Sequence, residues 1–189
     1  MKLLVVIAST RPGRVGKPVA DWFVDQARAH TAFDVEVADL AELALPLLDE
    51  PNHPRLRRYE HEHTKRWSEI VDRADAVVFV MPEYNHSFNA ALKNAIDYLH
   101  HEWAYKPVGL VSYGGVSGGM RAAKALLPVL QPLRTLLVAD SVLIPMVGSM
   151  IDDGVFQPNE IVADSAKPML DELATVAQAT QSLRKQHAA

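Results

Sequence analysis

An uninterrupted run of aliphatic residues occupies positions 3–7, close to the start of the chain, and it limits the possible folds more than any other segment. The run is too short for a helix, and it lacks the alternation of polar and apolar residues that marks a strand with one face in water. It is therefore typical of a central strand buried on both faces of a parallel sheet. The run at 76–81, AVVFVM, has the same character. A sheet with such strands has to be covered by other elements on both faces.

Apolar spacing and turn residues predict the remaining elements. The other strands are predicted over 33–37, 108–113 and 141–146, the last with Pro145 suited to a sheet edge. The segment 39–54 carries three prolines and is predicted to be irregular. Helices are predicted over 17–30, 56–74, 88–103, 119–137 with a kink at Pro128, and 169–183 with Pro168 in its first turn.

The alternation of strands and helices predicts an α/β fold with a doubly wound parallel sheet. Five strands favour the order 2-1-3-4-5, which places a ligand at the switch point between strands 1 and 3, beyond their carboxyl ends. The length of 189 residues, 49% of them hydrophobic, is enough for one domain over residues 1–189 with a sizeable core.

Composition excludes several classes of function. A net charge of −4 and a pI near 6.0 argue against nucleic acid or an anionic membrane surface as partner. The absence of cysteine excludes disulfides, thiolate metal sites and a cysteine nucleophile. No apolar run approaches the ~18 residues of a membrane span, and no signal peptide is recognisable, so we expect a soluble cytoplasmic protein. The eight histidines include no H-E-x-x-H pattern, and we predict no metal site.

The loop after the first strand has the composition of an anion site. Ser9 and Thr10 supply hydroxyls, Arg11, Arg14 and Lys17 supply charge, and Pro18 marks the first turn of a helix whose N–H groups point toward the loop. Composition alone leaves an ordinary strand–helix loop with solvated cations as an alternative.

The loop matches neither common nucleotide motif. Pro18 stands where a Walker A sequence needs Ser or Thr after the lysine, and the dinucleotide pattern G-x-G-x-x-G is represented only by Gly13 and Gly16. A single terminal phosphate, as on a mononucleotide, fits this loop better than a pyrophosphate.

The loops after strands 3 and 4 are unusual as well. The first reads PEYNHSF, where Asn85 or Ser87 could cap the next helix and the main-chain N–H groups of residues 83–85 could face a planar ligand. The second reads YGGVSGG, and its four glycines allow close approach of the backbone to a flat ring. Three such loops at one switch point predict a mononucleotide with a broad heterocycle. A capped helix start and a loose turn are the plainer alternatives.

These motifs resemble the NAD(P)H-dependent FMN reductases, a flavodoxin-like family that includes quinone, azo-dye and chromate reductases. The resemblance covers residues 2–185: Ser9-Thr10-Arg11 with Gly16 is similar to the phosphate loop, and Pro82-Glu83-Tyr84-Asn85 followed by LKNAID is the most specific signature. The chain departs from the family pattern at Ala8, at Gly16-Lys17-Pro18, and at Asn89-Ala90, where Pro-Gly is often found.

The resemblance implies an FMN enzyme that takes a hydride from NADH or NADPH and then, in ping-pong order, reduces an acceptor such as a quinone, an azo compound, a free flavin or a metal oxyanion. It implies a homodimer or a dimer of dimers, and Tyr59, Trp67, Tyr98 and Trp103 are candidates for the contact. Tyr84 is expected to shape the substrate face, and no side chain is predicted to be catalytic. The residues predicted to bind FMN are Ser9, Thr10, Arg11, Arg14, Val15, Gly16, Lys17, Pro82, Glu83, Tyr84, Asn85, Ser112, Tyr113, Gly114, Gly115 and Gly118.

Two other functions are compatible with parts of the sequence. Gly115-Val116-Ser117-Gly118-Gly119 matches the G-x-S-x-G of a hydrolase nucleophile elbow, with Asp140, Asp152 or Asp153 and His187 as possible partners. A flavodoxin-type electron carrier without a substrate of its own would share the flavin site, and steady oxidation of NAD(P)H would distinguish the enzyme from it.

Overall fold

The computed structural model describes residues 1–188, which form a parallel α/β sheet with helices on both faces. Four long strands lie in the order β2-β1-β3-β4, and two short strands, β5 and β6, both pair with β4 at the far edge. This confirms the predicted flavodoxin-like order 2-1-3-4-5, with the fifth position divided in two. The strands are β1 (Lys2–Ile7), β2 (Asp34–Asp39), β3 (Ala76–Pro82), β4 (Pro107–Tyr113), β5 (Leu136–Leu137), β6 (Val142–Ile144) and the separate hairpin β7 (Ile151–Asp152) and β8 (Val155–Phe156).

The helices divide between two apolar cores, one on each face of the sheet. In β1, alternate side chains point to opposite faces, so Leu3 and Val5 pack in one core and Leu4 and Val6 in the other. The first core lies under α1 (Gly16–Ala29) and α6 (Glu160–Ala179), and the second under α3 (Glu62–Asp72), α4 (Ala90–Asp97) and α5 (Met120–Leu130). Both sets are almost fully buried, as predicted for a central strand. The helices are α1 (Gly16–Ala29), α2 (Leu40–Leu43), α3 (Glu62–Asp72), α4 (Ala90–Asp97), α5 (Met120–Leu130), α6 (Glu160–Ala179) and α7 (Gln181–Ala188).

Two helices in the first two thirds of the chain are shorter than predicted. The predicted helix 56–74 begins only at Glu62, because Arg57 adopts a left-handed conformation with φ 49° and ends a 3-10 turn at Pro54–Leu56. The predicted helix 88–103 is α4 followed by a separate 3-10 turn at His101–Trp103. The irregular segment 39–54 contains the short helix α2.

The helix and strand boundaries after β4 differ more from the prediction. The predicted helix 119–137 ends at Leu130, and a 3-10 turn with Pro132 and a left-handed Arg134 leads into β5. The predicted strand 141–146 is reduced to β6, which ends just before Pro145. The helix predicted over 169–183 is α6, which begins already at Glu160, because Asn159 caps it by accepting a hydrogen bond from the N–H of Val162 at 3.0 Å, and which ends at Ala179, before α7. Pro168 therefore lies well inside α6 and not in its first turn.

Three of the four aromatic residues assigned to a subunit contact lie in the interior, and the fourth, Tyr59, is partly buried against the same core. Trp67, Tyr98 and Trp103 are fully buried, and the two indole N–H groups donate to the carbonyls of Ala95 and Ile96 at 2.8 and 3.1 Å. The surplus of aromatic side chains thus fills the core on the α3–α5 face and gives no support for a dimer.

Candidate functional site

The three unusual loops lie side by side at the carboxyl edge of the sheet, because β1, β3 and β4 are parallel neighbours. The N–H of Ala8 donates to the carbonyl of Val80 at 3.0 Å, and the N–H of Glu83 donates to the carbonyl of Tyr113 at 2.9 Å. These bonds continue the sheet pairing into the loops and fix the start of each loop against the next.

The loop between β1 and α1 presents the uncapped N-terminus of a helix. Helix α1 begins at Gly16, and the preceding Val15 makes no side-chain capping bond. No acidic residue lies in the first turn. The first N–H groups of α1 therefore have no carboxylate or hydroxyl capping partner of their own, and they carry the positive end of the helix dipole. This is the environment in which proteins bind phosphate.

Two hydroxyls are buried beneath this helix end without a partner. Ser9 is 1% exposed and Tyr113 is 4% exposed. Among the described residues, neither Ser9 Oγ nor Tyr113 Oη has a hydrogen bond. Burial raises the pKa of Tyr113 to about 12, although the nearby Ser9 hydroxyl acts in the opposite direction. Buried hydroxyls are normally satisfied, so this pair indicates a missing polar group at the loop.

Gly16 allows the helix to approach these hydroxyls. A Cβ atom at position 16 would lie 2.1 Å from Tyr113 Oη and 2.3 Å from Ser9 Oγ, far inside contact distance. Ser9, Gly16 and Tyr113, predicted separately from two loops, therefore meet at one point. The donor set of hydroxyls and main-chain N–H groups fits a phosphate dianion.

The structure separates the three predicted cations of the loop. The Arg14 guanidinium makes two bonds to the Asp39 carboxylate, at 2.7 and 2.5 Å, and a third to the carbonyl of Ser9, so it already has an anionic partner within the protein. The bond to Asp39 raises the pKa of Arg14. Lys17 forms an exposed pair with Asp21 at 2.5 Å, which is easily exchanged. Arg11 is exposed and, within residues 1–188, pairs with no carboxylate.

The loop after β3 is a tight turn. The N–H and carbonyl groups of Tyr84 and Ser87 bond to each other at 2.9 and 3.0 Å, and Asn85 and His86 both have positive φ, 49° and 65°, as in a type I′ turn. The N–H groups of Glu83 and Tyr84 are thus already used, and neither Asn85 nor Ser87 caps α4, contrary to prediction. The Tyr84 ring is 40% exposed at the edge of the site.

Glu83 fixes the loop after β4 in place. Its carboxylate accepts hydrogen bonds from Ser117 Oγ at 2.8 Å and from the Arg121 N–H at 3.0 Å, at the start of α5. Burial favours the protonated form, but these bonds outweigh it and lower the pKa of Glu83. Glu83 is therefore a brace between two loops, and its side chain is not a free ligand group.

The glycines after β4 allow the chain to double back on itself. A Cβ atom at Gly119 would lie 2.6 Å from the Tyr113 nitrogen, and its φ of +85° is also in the left-handed region. Ser112 Oγ donates to the carbonyl of Gly118 at 3.1 Å. Val116 at the tip is 89% exposed, so the turn presents a small apolar surface beside Gly114 and Gly115.

Most of the predicted residues line the site, at different depths. Those that contact solvent freely could meet a ligand directly, whereas the buried ones shape the loops; among the buried ones, Ser9 and Tyr113 also carry the unpartnered hydroxyls. The exposed residues are Thr10, Arg11, Lys17, Tyr84, Asn85 and Gly115; the partly exposed residues are Arg14, Val15, Glu83 and Gly114; the buried residues are Ser9, Gly16, Pro82, Ser112, Tyr113 and Gly118.

The sequence did not reveal three contributors to the site. Asp39 holds Arg14 and also caps α2, and Arg121 completes the bonds to Glu83. Asn89 donates from Nδ2 to the carbonyl of Ala8 at 2.6 Å and ties α4 to the end of β1. The sequence did carry one signal for Asn89, because Asn89-Ala90 stands where the family often has Pro-Gly. Asp39 was detectable from the predicted sheet, since the end of β2 had to lie beside the end of β1.

The hydrolase alternative is wrong. Ser117 donates to Glu83, and in the described part of the chain no histidine bonds to it. His187 lies on α7, where its ring contacts His101 at 3.2 Å near the amino end of β4. The two residues are therefore at opposite edges of the sheet.

Comparisons with known proteins identify the family of the chain. The sequence profile of the NADPH-dependent FMN reductases matches residues 1–148. The chain is 43% identical over 120 residues to an NAD(P)H-dependent FMN reductase of Schizosaccharomyces pombe, covering 62% of this chain and 60% of that protein. It is 29% identical over 188 residues to an NADPH azoreductase of Bacillus sp., covering 98% of this chain and 96% of that protein.

A solved structure shows the same fold. The flavoenzyme FerB of Paracoccus denitrificans, described as an NAD(P)H:(acceptor) oxidoreductase, superposes with a TM-score of 0.73 at 21% identity, over 94% of this chain and 97% of FerB. Fold, loop motifs and sequence similarity together lead to one conclusion. The chain belongs to the NADPH-dependent FMN reductase family.

Proposed function

We propose that this protein uses bound FMN to pass electrons from NADH or NADPH to a small-molecule acceptor such as a quinone or an azo compound. One observation carries the proposal: the buried hydroxyls of Ser9 and Tyr113 have no partner beneath the uncapped start of α1. A phosphate group would supply both with an acceptor and would meet the positive end of the helix dipole. Quinone reductases and azoreductases among the relatives support this choice of acceptor.

Each loop has a distinct part in this proposal. Ser9, Thr10, Arg11 and Tyr113, with the first N–H groups of α1, would hold the phosphate. The turn at 84–87 and the glycine loop at 113–118 would lie against the ring. When bound, FMN supplies the hydride and electron chemistry, and the protein binds it, orients it and tunes its potential.

The residues around the ring position favour binding of flat, apolar molecules over acid–base chemistry. Tyr84, Val116, Met120 and Met146 are exposed by 40% or more, at or beside the loops that frame the site. Glu83 is fixed by Ser117 and Arg121, and these bonds lower the pKa of its carboxyl group. We therefore propose no catalytic side chain and give Tyr84 the role of contacting the acceptor or the nicotinamide.

We also propose a homodimer. Leu47 is 83% exposed and Leu48 and Leu56 are 42% and 55% exposed, all between α2 and α3. Apolar side chains of this size favour burial in a contact. Sedimentation that finds only monomer at micromolar concentration would contradict the homodimer.

No helix within residues 1–188 is long and apolar enough to cross a bilayer. The cytoplasmic location stays a prediction.

The test is flavin binding followed by turnover. Flavin-free protein is expected to bind added FMN and then to oxidise NADH or NADPH steadily in the presence of a water-soluble quinone. The double variant Ser9→Ala, Arg11→Glu should lose FMN, whereas Arg58→Glu, a charge reversal outside the site, should retain it. Protein that ignores FMN would refute the proposal, and protein that binds FMN without steady oxidation would be an electron carrier.

A further inference from the structure

A second cluster of basic side chains surrounds a cavity at the amino end of the sheet, opposite the flavin loops. The cavity has a volume of about 290 Å³. Pro132 and Leu133 form an apolar wall, and the polar side chains that line the cavity within residues 1–188 are all basic. These are Arg55, His100, His101, Arg134 and His187.

No carboxylate lines this cavity in the part of the chain that the structure describes. Arg55 Nε donates to His100 Nε2 at 3.2 Å, and Arg134 donates to the Tyr105 hydroxyl at 3.1 Å. Neither guanidinium forms an ion pair with a carboxylate of residues 1–188. Each therefore keeps N–H donors that have no anionic partner among the described residues and that could bind an anion.

The acids nearby are already engaged. Glu102 accepts hydrogen bonds from Tyr59 at 2.9 Å and from Ser68 at 2.6 Å. Asp72 pairs with Arg57 at 3.2 Å, and Asp75 pairs with Arg184 at 3.1 Å. The charged and titratable groups of the adjoining cavity that His187 also lines are Arg57, Asp72, Arg73, Asp75, His101, Glu102, Lys106, Arg184 and Lys185. Cations outnumber acids in this set.

The hydrogen bonds determine which ring nitrogens can donate. Because Arg55 Nε donates to His100 Nε2, the proton of neutral His100 lies on Nδ1. His101 Nε2 faces the carbonyl of Arg55 at 3.0 Å and must donate, so His101 Nδ1 accepts from His187 Nε2 at 3.2 Å. His187 Nδ1 is thus an acceptor in the neutral ring and becomes a donor on protonation.

The surrounding charge opposes that protonation until an anion is present. Burial lowers the pKa of His187, and His101, Arg134 and Arg57 lower it further. Burial and the charges of His101 and Arg55 lower the pKa of His100 in the same way. An anion in the cavity would reverse the electrostatic part of both effects, so its binding should be accompanied by proton uptake.

We propose that this cavity is an anion site for a phosphomonoester, held by Arg55, Arg134 and His187 with its organic group against Pro132 and Leu133. Guanidinium groups and imidazoles at the cavity wall match the oxygens of a phosphate. The volume leaves room beyond the phosphate for a small ring. The site is separate from the flavin loops, and the proposal does not depend on the proposed reductase activity.

The test uses FMN-saturated protein in phosphate-free buffer, so that the flavin phosphate site is filled. Histidine Cε1–H resonances are followed by NMR while inorganic phosphate or phenyl phosphate is added, with phenol as the uncharged control. We expect saturable shifts of the His100, His101 and His187 signals with both phosphates. Phenyl phosphate should bind more tightly than inorganic phosphate, and phenol should cause no shifts. Arg55→Gln and Arg134→Gln should each weaken binding about tenfold, the loss of one charged hydrogen bond. Arg58 is an exposed arginine outside the cavity, so Arg58→Gln should leave phosphate binding unchanged.

A second arm tests the coupling to protons. Sulfate stays a dianion between pH 8 and pH 6, so its affinity should rise as the pH falls and His187 protonates. His187→Gln should weaken that pH dependence, and His100→Gln together with His187→Gln should abolish it. Shifts that do not saturate, an equal loss in Arg58→Gln, or sulfate binding that is independent of pH would each overturn the proposal. Thermal melting and NADPH oxidation of the variants, expected to equal those of the parent protein, show that the fold and the flavin site are intact.

Discussion

Replacement of Tyr113 by Phe should change stability and flavin affinity in opposite directions. The Tyr113 hydroxyl is buried and unpartnered. A buried unsatisfied hydroxyl costs about 1–3 kcal/mol, so its removal should stabilise the flavin-free protein by about 1 kcal/mol. For a chain of this length, that raises the melting temperature by about 2–4 °C.

The same change should weaken FMN binding. If the phosphate accepts a hydrogen bond from Tyr113, the bond is charge-assisted and contributes about 1.5–3 kcal/mol. Its loss raises the FMN dissociation constant by roughly 10- to 100-fold, because each 1.4 kcal/mol is tenfold. Thermal melting without flavin and fluorescence titration with FMN measure the two effects separately.

Tyr59→Phe is the matched control for this experiment. The Tyr59 hydroxyl donates to Glu102 at 2.9 Å, so its removal should destabilise the protein by about 1–2 kcal/mol and leave FMN affinity unchanged. A Tyr113→Phe protein that is less stable than the parent and binds FMN equally well would refute the assignment of Tyr113 to the phosphate.

Three further predictions follow from the site. Gly16→Ala places a Cβ atom 2.1 Å from Tyr113 Oη, so it should prevent FMN retention in a flavin titration. The control Gly148→Ala places its Cβ atom in open space and should leave FMN binding unchanged. Asp39→Asn leaves the Arg14 charge largely buried without its partner and should lower the free energy of unfolding by about 3 kcal/mol, measured in urea; a loss below about 0.5 kcal/mol would contradict the role of the pair. The pKa of Tyr113 is raised to about 12, so the folded state favours the protonated phenol, and that stability is lost as the pH rises from about 10 through 12. Tyr113→Phe should therefore lose less stability than the parent protein over this interval in alkaline denaturation.

The sheet was predictable because its signal is local. An unbroken aliphatic run such as residues 3–7 has only one stable environment, and the order of the strands followed from their alternation with helices. Helix ends were less predictable, because they depend on single residues. Arg57 and Arg134 adopt left-handed conformations that no residue preference favours, and both ended helices that apolar spacing would have continued. Asn159 was a readable cap that the Pro168 signal concealed.

The position of the site was predictable, but its ion pairs were not. The loops had to meet because parallel strands end at the same edge, and the glycines gave their unusual geometry. The partner of Arg14 was not local: Asp39 lies opposite Ile7 only in the assembled sheet. Charge in a loop indicates an anion site, but it does not tell which cation is already neutralised within the protein.

Equilibrium titrations of the flavin-free protein with FMN and with riboflavin, which lacks the phosphate, measure directly how much the phosphate contributes to binding. If the phosphate is held by Ser9, Arg11, Tyr113 and the start of α1, FMN should bind at least about 100-fold more tightly, the equivalent of two charged hydrogen bonds. The Ser9→Ala, Tyr113→Phe double variant should lose most of that difference. Equal affinities for FMN and riboflavin in the parent protein would contradict the account.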